Sequence, residues 1–129
     1  MANEVQISVS LAFNLPGQTT SPVGRSLDGF LSNSLLGLGP VGQTVSIPTG
    51  GVAIDMGGIT SPGYAWFRNL DPVNYVQIWS SVASQVNGDP PMLNLPPGAP
   101  SLCCLDPTAA PYAVANTAAI LLEFLICSR

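Results

Sequence analysis

Lysine and histidine are absent from the 129-residue sequence, and only 8% of its residues are charged. The lack of histidine excludes histidine-dependent nucleophilic triads and imidazole metal sites. The lack of lysine excludes Schiff-base chemistry and the phosphate-binding lysine of P-loop enzymes. The three arginines, Arg25, Arg68 and Arg129, are too few to neutralise a run of phosphates. We therefore expect no direct nucleic-acid partner and no membrane partner.

Seven acidic residues outnumber the arginines, give a net charge of −4 and are the remaining candidates for catalysis. Three aspartates that directly precede a proline are typical of turns; they are Asp71, Asp89 and Asp106. Asp55 and Glu123 lie inside apolar segments, where each would point to the solvent-facing side of an antiparallel strand. The sequence also allows an ion pair of either residue with Arg68. We expect that the protein is not an enzyme and has no catalytic, cofactor-binding or metal-binding residues.

Targeting signals and a disulfide framework are also missing. The first residues lack a basic region followed by an apolar one, and the longest apolar run, 118–122, is far shorter than the roughly 20 residues that span a bilayer. The cysteines are odd in number: Cys103, Cys104 and Cys127. We expect these cysteines to pack as small apolar side chains. A disulfide from Cys103 or Cys104 to Cys127 is the alternative. Because these signals are missing, we expect that the protein is made and assembled in a cytoplasm.

Turn formers and alternating patterns dominate what is present. The chain contains thirteen glycines and thirteen prolines, which favour turns and interrupt helices. We therefore expect no helix longer than about two turns. Residues 4–13 alternate strictly between apolar and polar, as a half-buried strand does. Further short strands are predicted at 44–47, 52–56, 64–69, 74–79, 92–95, 101–105, 112–115 and 119–128. Eight or nine strands predict an all-β antiparallel β-sandwich, jelly-roll-like, as one domain over 1–129.

Residues 14–42 have a different character from the predicted strands. They combine glycine, serine, threonine and proline with scattered leucine and phenylalanine, and they fit helical spacing only loosely. We expect a long loop or extended arm here, and loops of this length usually have a function or dock on a partner. Phe30, Leu35 and Leu36 are therefore candidate interface residues.

The C-terminal segment 119–127 is apolar at both strand parities except at Glu123. A strand with one wet face should alternate, as 4–13 does, so we expect both faces to be covered. A single core covers one face only. The second cover would come from another chain or from the segment 14–42. We therefore expect a homo-oligomer in which Leu121 and Leu125 lie at the interface.

Four aromatic residues fall on two predicted strands that a short turn would join into a hairpin. Tyr64 and Trp66 would share one face of the first strand, and Tyr75 and Trp79 one face of the second. Cross-strand packing in the core is one reading, and an aromatic patch facing a partner is the other. The sequence leaves both open.

The segment 63–78, which reads GYAWFRNLDPVNYVQI, resembles small β-sandwich proteins encoded among the virion genes of tailed bacteriophages. Those proteins have a similar Arg-Asn-Leu-Asp, turn, Asn-Tyr-Val pattern. The short strands of 92–105, the Ala-Asn-Thr at 115–117 and the Leu-Glu-Phe-Leu at 122–125 are similar too. The resemblance covers about residues 44–127.

The resemblance implies a virion structural protein and supplies no catalytic residues. A capsid decoration (cement) protein that stabilises the head shell is the first expectation, with a trimer favoured because such proteins often sit at threefold positions. Its partners would be its own copies and the major capsid protein or other virion proteins, and its location the virion. A head-fibre, neck or tail accessory binding module, including a carbohydrate- or receptor-binding one, is the alternative. Scarce charge fits either role, because it lowers the desolvation cost of a large interface.

Overall fold

The computed structural model describes residues Glu4–Asn14, Gly24–Ser34 and 41–128. The chain divides into two compact units, residues 1–34 and 35–129. The first unit contains strands β1 (Glu4–Asn14) and β2 (Gly24–Ser34), which pair antiparallel from Glu4 opposite Ser34 to Asn14 opposite Gly24. The expectation of one domain over the whole chain stays a prediction.

Strand β2 corrects the loop expected at 14–42. Its glycines and serines have low strand propensity, which is why the sequence predicted no strand there. Pairing along all eleven residues of β1 supplies backbone hydrogen-bond partners that local propensity does not register. Phe30 lies in β2 opposite Ser8, whereas Leu35 and Leu36 lie outside the described residues. Contact of this segment with another subunit stays a prediction.

The second unit consists of short strands and one helix of five residues. In chain order they are β3 (Val41–Ile47), β4 (Val52–Ala53), β5 (Pro62–Asn69), β6 (Val76–Trp79), α1 (Val82–Val86), β7 (Leu93–Leu95), β8 (Pro100–Cys104), β9 (Tyr112–Ala115) and β10 (Ile120–Ser128). Within the described ranges α1 is the only helix, which confirms the all-β expectation. No helix in this described part is long and apolar enough to cross a membrane.

The strands of the second unit form two four-stranded antiparallel sheets. Sheet I has the order β3-β10-β5-β8, and sheet II has the order β4-β9-β6-β7. Strand β10 therefore occupies the interior of sheet I, between β3 and β5. Both sheets contribute to one hydrophobic core.

Alternation along the strands explains that core. Sheet I buries Ile120, Leu122, Phe124 and Ile126 from β10 and Ala65 and Phe67 from β5. The rings of Phe67 and Phe124 meet with centroids 6.5 Å apart at a tilt of 42°. Sheet II contributes Val76, Ile78, Ala113 and Ala115 to the same cluster. Residues of the opposite parity in sheet I are left on its outer face.

Strands β5 and β6 do not form the hairpin that the sequence predicted, because they belong to different sheets. Asn69, fully buried at the end of β5, provides the physical reason. Its Nδ2 donates to the carbonyl oxygens of Asn74 at 2.8 Å, Leu95 at 3.1 Å and Pro96 at 3.2 Å. Its Oδ1 accepts from the N–H of Asp71 at 3.0 Å. These bonds fix the path by which the chain leaves sheet I and enters sheet II.

Candidate functional site

Two of the interface residues predicted from the sequence, Leu121 and Leu125, lie together on the outer face of sheet I. The register aligns three cross-strand rows on it. The first contains Thr44, Glu123, Arg68 and Pro100; the second contains Gly42, Leu125, Trp66 and Leu102; the third contains Cys127, Tyr64 and Cys104. Leu121 lies beyond the first row, opposite Ser46. The second row is apolar from one edge of the sheet to the other.

Three leucine side chains on this face are exposed. Leu121 is 52% exposed, Leu125 41% and Leu102 38%. Within this single chain the inner face of the C-terminal strand is covered as expected, whereas on its outer face Leu121 and Leu125 are exposed and Cys127 is buried. A contiguous apolar patch of this kind marks an interaction surface more often than a scattered leucine does.

A shallow depression of about 350 Å³ lies over the β3 side of the apolar row. Its lining consists of Gly42, Gln43, Thr44, Trp66, Glu123, Phe124 and Leu125. Gly42 is required for its shape, because a Cβ there would lie 2.9 Å from Leu125 Cδ1 and 3.1 Å from the Phe124 carbonyl oxygen. The leucine side chain thus lies directly over the glycine backbone.

The charges on this face balance although the chain as a whole is acidic. Glu123 of β10 lies opposite Arg68 of β5, so the strand register brings together the two residues whose pairing the sequence left open. Opposite charges placed across neighbouring strands attract one another modestly. They are the only charged residues in the three rows, so this face carries no net charge. A second surface that approaches this face therefore meets no local excess of like charge, although the chain as a whole carries a net charge of −4.

The aromatic residues do not form one patch. Tyr64 and Trp66 share the outer face of sheet I, whereas Tyr75 and Trp79 belong with sheet II. Trp79 is only 9% exposed, and its Nε1 donates to the Asp89 carbonyl oxygen at 2.7 Å, so core packing describes this residue. Tyr75 is 39% exposed. Trp66 is the aromatic residue that joins the apolar row.

The aspartates have structural roles at turns. Asp71 Oδ1 accepts from the N–H groups of Val73 at 2.8 Å and Asn74 at 2.6 Å. These bonds hold the pKa of Asp71 below its ordinary value. The pKa of Asp106 is lowered by the hydroxyl and the N–H of Thr108. The stabilisation these bonds supply is present at neutral pH and is lost as the pH falls through each lowered pKa.

Asp55 corrects one detail of the sequence prediction. It was expected inside an apolar strand, but β4 ends at Ala53 and Asp55 follows it. Its Oδ1 accepts from the N–H of Gly57 at 2.8 Å, which is a turn contact. Across the described part of the chain, no three cysteine, histidine or acidic side chains come close enough to hold a metal ion.

All three cysteines are free, and strand geometry opposes the bridge left open above. Cys104 and Cys127 both lie opposite Tyr64, on either side of β5. They are thus two strand spacings apart, roughly 10 Å, which exceeds the reach of a disulfide. Cys103 has the opposite parity and packs against the core.

We expect the cysteines to react with a maleimide at very different rates. Cys104 is exposed, whereas burial raises the pKa of the Cys103 thiol to about 11, with Cys104 adding to the shift. At pH 8, about one Cys103 in a thousand would then be a thiolate. Burial also raises the pKa of Cys127. Mass spectrometry at pH 8 should show one fast label that disappears in Cys104→Ser. Two fast labels in the folded wild type would contradict this expectation.

Sequence reasoning found Leu121 and Leu125, left Trp66 open between core packing and a partner-facing patch, and missed Gly42 and Leu102. Their shared face depends on the order β3-β10-β5-β8, which no local pattern reveals. Comparisons with protein-family models, with curated proteins and with solved structures found no match. The outer face of sheet I therefore has to be interpreted from its own chemistry.

Proposed function

We propose that this chain is a structural protein of a tailed-phage virion, a capsid decoration (cement) protein that stabilises the head shell as an oligomer. Its fold would then be a β-sandwich of jelly-roll type, with sheets I and II as its two layers. Its location would be the virion, and its partners its own copies and the major capsid protein. The trimer stays the favoured oligomer. We assign it no enzymatic activity and no cofactor.

The observation that carries the proposal is the outer face of sheet I. Leu121 and Leu125 of β10 and Leu102 of β8 are exposed there, and Glu123 lies opposite Arg68 in the strand register, so the face has no net charge. Burying these side chains against another chain removes apolar surface from water. Each Å² of apolar surface removed stabilises the contact by about 25 cal/mol. Since few charges would be desolvated, such a contact would be favourable over a large area.

The residues that carry the virion resemblance also support a rigid building block. They include Asn69, Asp71 and Asn74, whose hydrogen bonds form the crossing between the two sheets. Thr117 Oγ1 donates to Asn74 Oδ1 at 2.6 Å and ties the segment before β10 to the same crossing. A motif that fixes the relative position of two sheets suits a protein that must keep one shape in a repetitive assembly.

A head-fibre, neck or tail accessory module is the second candidate, and one observation favours it. The depression on sheet I places the Trp66 ring beside Gln43, Thr44 and Glu123. An aromatic ring flanked by hydrogen-bonding side chains is a surface that a sugar can occupy. Under this reading the face of sheet I would stay open to a ligand and would not be covered by another copy.

Copy counting in purified particles tests the proposal. Particles of the phage that encodes the chain would be purified and the chain quantified by mass spectrometry against the major capsid protein. We expect a copy number that scales with the shell, in the hundreds, because a decoration protein occupies repeated shell positions. A handful of copies per particle would favour the fibre or tail module. Absence from particles would contradict a virion role altogether.

A further inference from the structure

Asn87 is the one asparagine of the sequence that is followed by glycine. It ends the short helix α1 as its C-cap residue, and both Asn87 and Gly88 are exposed. Gly88 has a φ of +80°, and a Cβ built on it would meet no atom of the described residues within 4 Å. The space around the glycine is therefore open to water and hydroxide.

We propose that Asn87 is a modification site, at which the side-chain amide deamidates through a cyclic imide whenever α1 opens. The backbone nitrogen of Gly88 attacks Cγ of Asn87, the Cγ–Nδ2 bond breaks, and ammonia leaves with the proton of the Gly88 N–H. Water then hydrolyses the imide at one of its two carbonyl carbons and leaves either aspartate or isoaspartate. Each event adds one negative charge to the net −4 of the chain. The modification does not depend on the proposed virion role.

The closed conformation of α1 holds this reaction back. Ring closure requires the Gly88 nitrogen to eclipse Cβ of Asn87 about the Cα–C bond. Asn87 has a helical ψ of −11°, which makes the Gly88 nitrogen eclipse the backbone nitrogen of Asn87 instead. The N–H of Gly88 also donates to the Gln85 carbonyl oxygen at 3.2 Å. The end of α1 must therefore open before the nitrogen can reach Cγ.

Opening α1 disrupts little of the remaining structure. The helix has five residues, none of them buried, and Val82 and Val86 are 51% and 74% exposed. It has no acidic residue in its first turn and no basic residue in its last, so no side-chain charge favours its dipole. Ser81 caps its N-terminus by accepting from the Ser84 N–H at 3.1 Å. A segment with so few buried apolar contacts opens locally, without unfolding of the core.

The products of the reaction should favour the open state of α1. A carboxylate at position 87 would face the negative end of the helix dipole. Isoaspartate also inserts one methylene group into the backbone ahead of Gly88 and Asp89. The N–H of Asp89 donates to the Ser84 carbonyl oxygen at 3.0 Å, and its carbonyl oxygen accepts from Trp79 Nε1 at 2.7 Å. A longer backbone displaces Asp89 from both contacts, so the modification loosens α1 irreversibly.

Peptide mass spectrometry of the full-length protein, incubated at pH 8, tests the proposal. We expect the mass gain of an amide converted to a carboxyl group at Asn87, with both aspartate and isoaspartate present, and none over the same period at the exposed Asn94, which precedes leucine. Ser81→Ala removes the cap of α1 and should raise the rate about fivefold. Thr108→Ala removes a hydroxyl bonded to Asp106 at 2.6 Å, outside α1, and is the matched control with an unchanged rate.

Two further measurements separate the chemistry from the opening of α1. Unfolding the chain in guanidinium chloride should raise the rate at Asn87 at least about tenfold. Ala83→Gly weakens the helix through its backbone and leaves the cap in place, so it should also raise the rate. No mass gain in the unfolded chain, or aspartate without isoaspartate, would overturn the imide. Equal rates in the folded and unfolded chain, or unchanged rates in both helix variants, would overturn the control by α1.

Discussion

Replacing Asn69 by alanine should destabilise the second unit by about 3–5 kcal/mol. The side chain is fully buried, donates to three carbonyl oxygens and accepts from one N–H. Its removal takes a hydrogen bond from one buried and three part-buried backbone groups, and each fully buried group left without a partner costs about 1–3 kcal/mol. Urea unfolding followed by tryptophan fluorescence measures the effect, because the two tryptophans, Trp66 and Trp79, both lie in this unit.

Asn94→Ala is the matched control for this measurement. Asn94 lies in β7 with an exposed side chain, so the same substitution removes no buried contact and should change stability by less than about 0.5 kcal/mol. Equal unfolding midpoints for the two variants would contradict the role assigned to Asn69. A large loss of unfolding free energy in Asn69→Ala, without one in Asn94→Ala, would show that the Asn69 amide stabilises the crossing between the two sheets.

Leu121→Glu combined with Leu125→Glu should convert the proposed oligomer to folded monomers. The two leucines are 52% and 41% exposed within one chain, so a carboxylate can remain in water in the monomer. In an assembly that covers the outer face of sheet I, each copy would bury two uncompensated charges at a cost of several kcal/mol. Sedimentation velocity gives the mass, and circular dichroism confirms that the strands remain.

Val86→Glu provides the control for added charge. Val86 lies on α1, which belongs to neither sheet, and is 74% exposed. It introduces the same side chain at a position outside the proposed interface, so its oligomer should match that of the unmodified protein. Dissociation by Val86→Glu as well would attribute the effect to net charge. Retention of the oligomer by the double variant would place the interface elsewhere.

Strand positions were predictable because they follow from local alternation, whereas strand partners were not. The alternation in 4–13 predicted β1, and the apolar segment 119–128 predicted β10. Strand β2 was missed because its residues favour turns and because its strand hydrogen bonds are made with β1, which is distant from it in sequence. Short-range patterns carry no information on such pairing.

The crossing from β5 to β6 shows the same limit at the level of one residue. A hairpin is the natural reading of two strands joined by an Asn-Leu-Asp-Pro turn. Asn69, however, donates to backbone carbonyls at Leu95 and Pro96, which lie beyond the next strand. Asn69 has the same parity as the buried Ala65 and Phe67, so its amide points inward. Its acceptors became evident only with the three-dimensional structure.

The position of β10 between β3 and β5 has a consequence for how the protein is made. The ribosome synthesises β3 and β5 well before β10, at about 5–20 residues per second. For several seconds the nascent chain therefore contains β3 without its hydrogen-bonding neighbour and β5 with only one of its two. Sheet I can close only after Ile120–Ser128 has left the ribosome. Translation that stops before this segment should yield a product that chaperones and proteases recognise as unfinished.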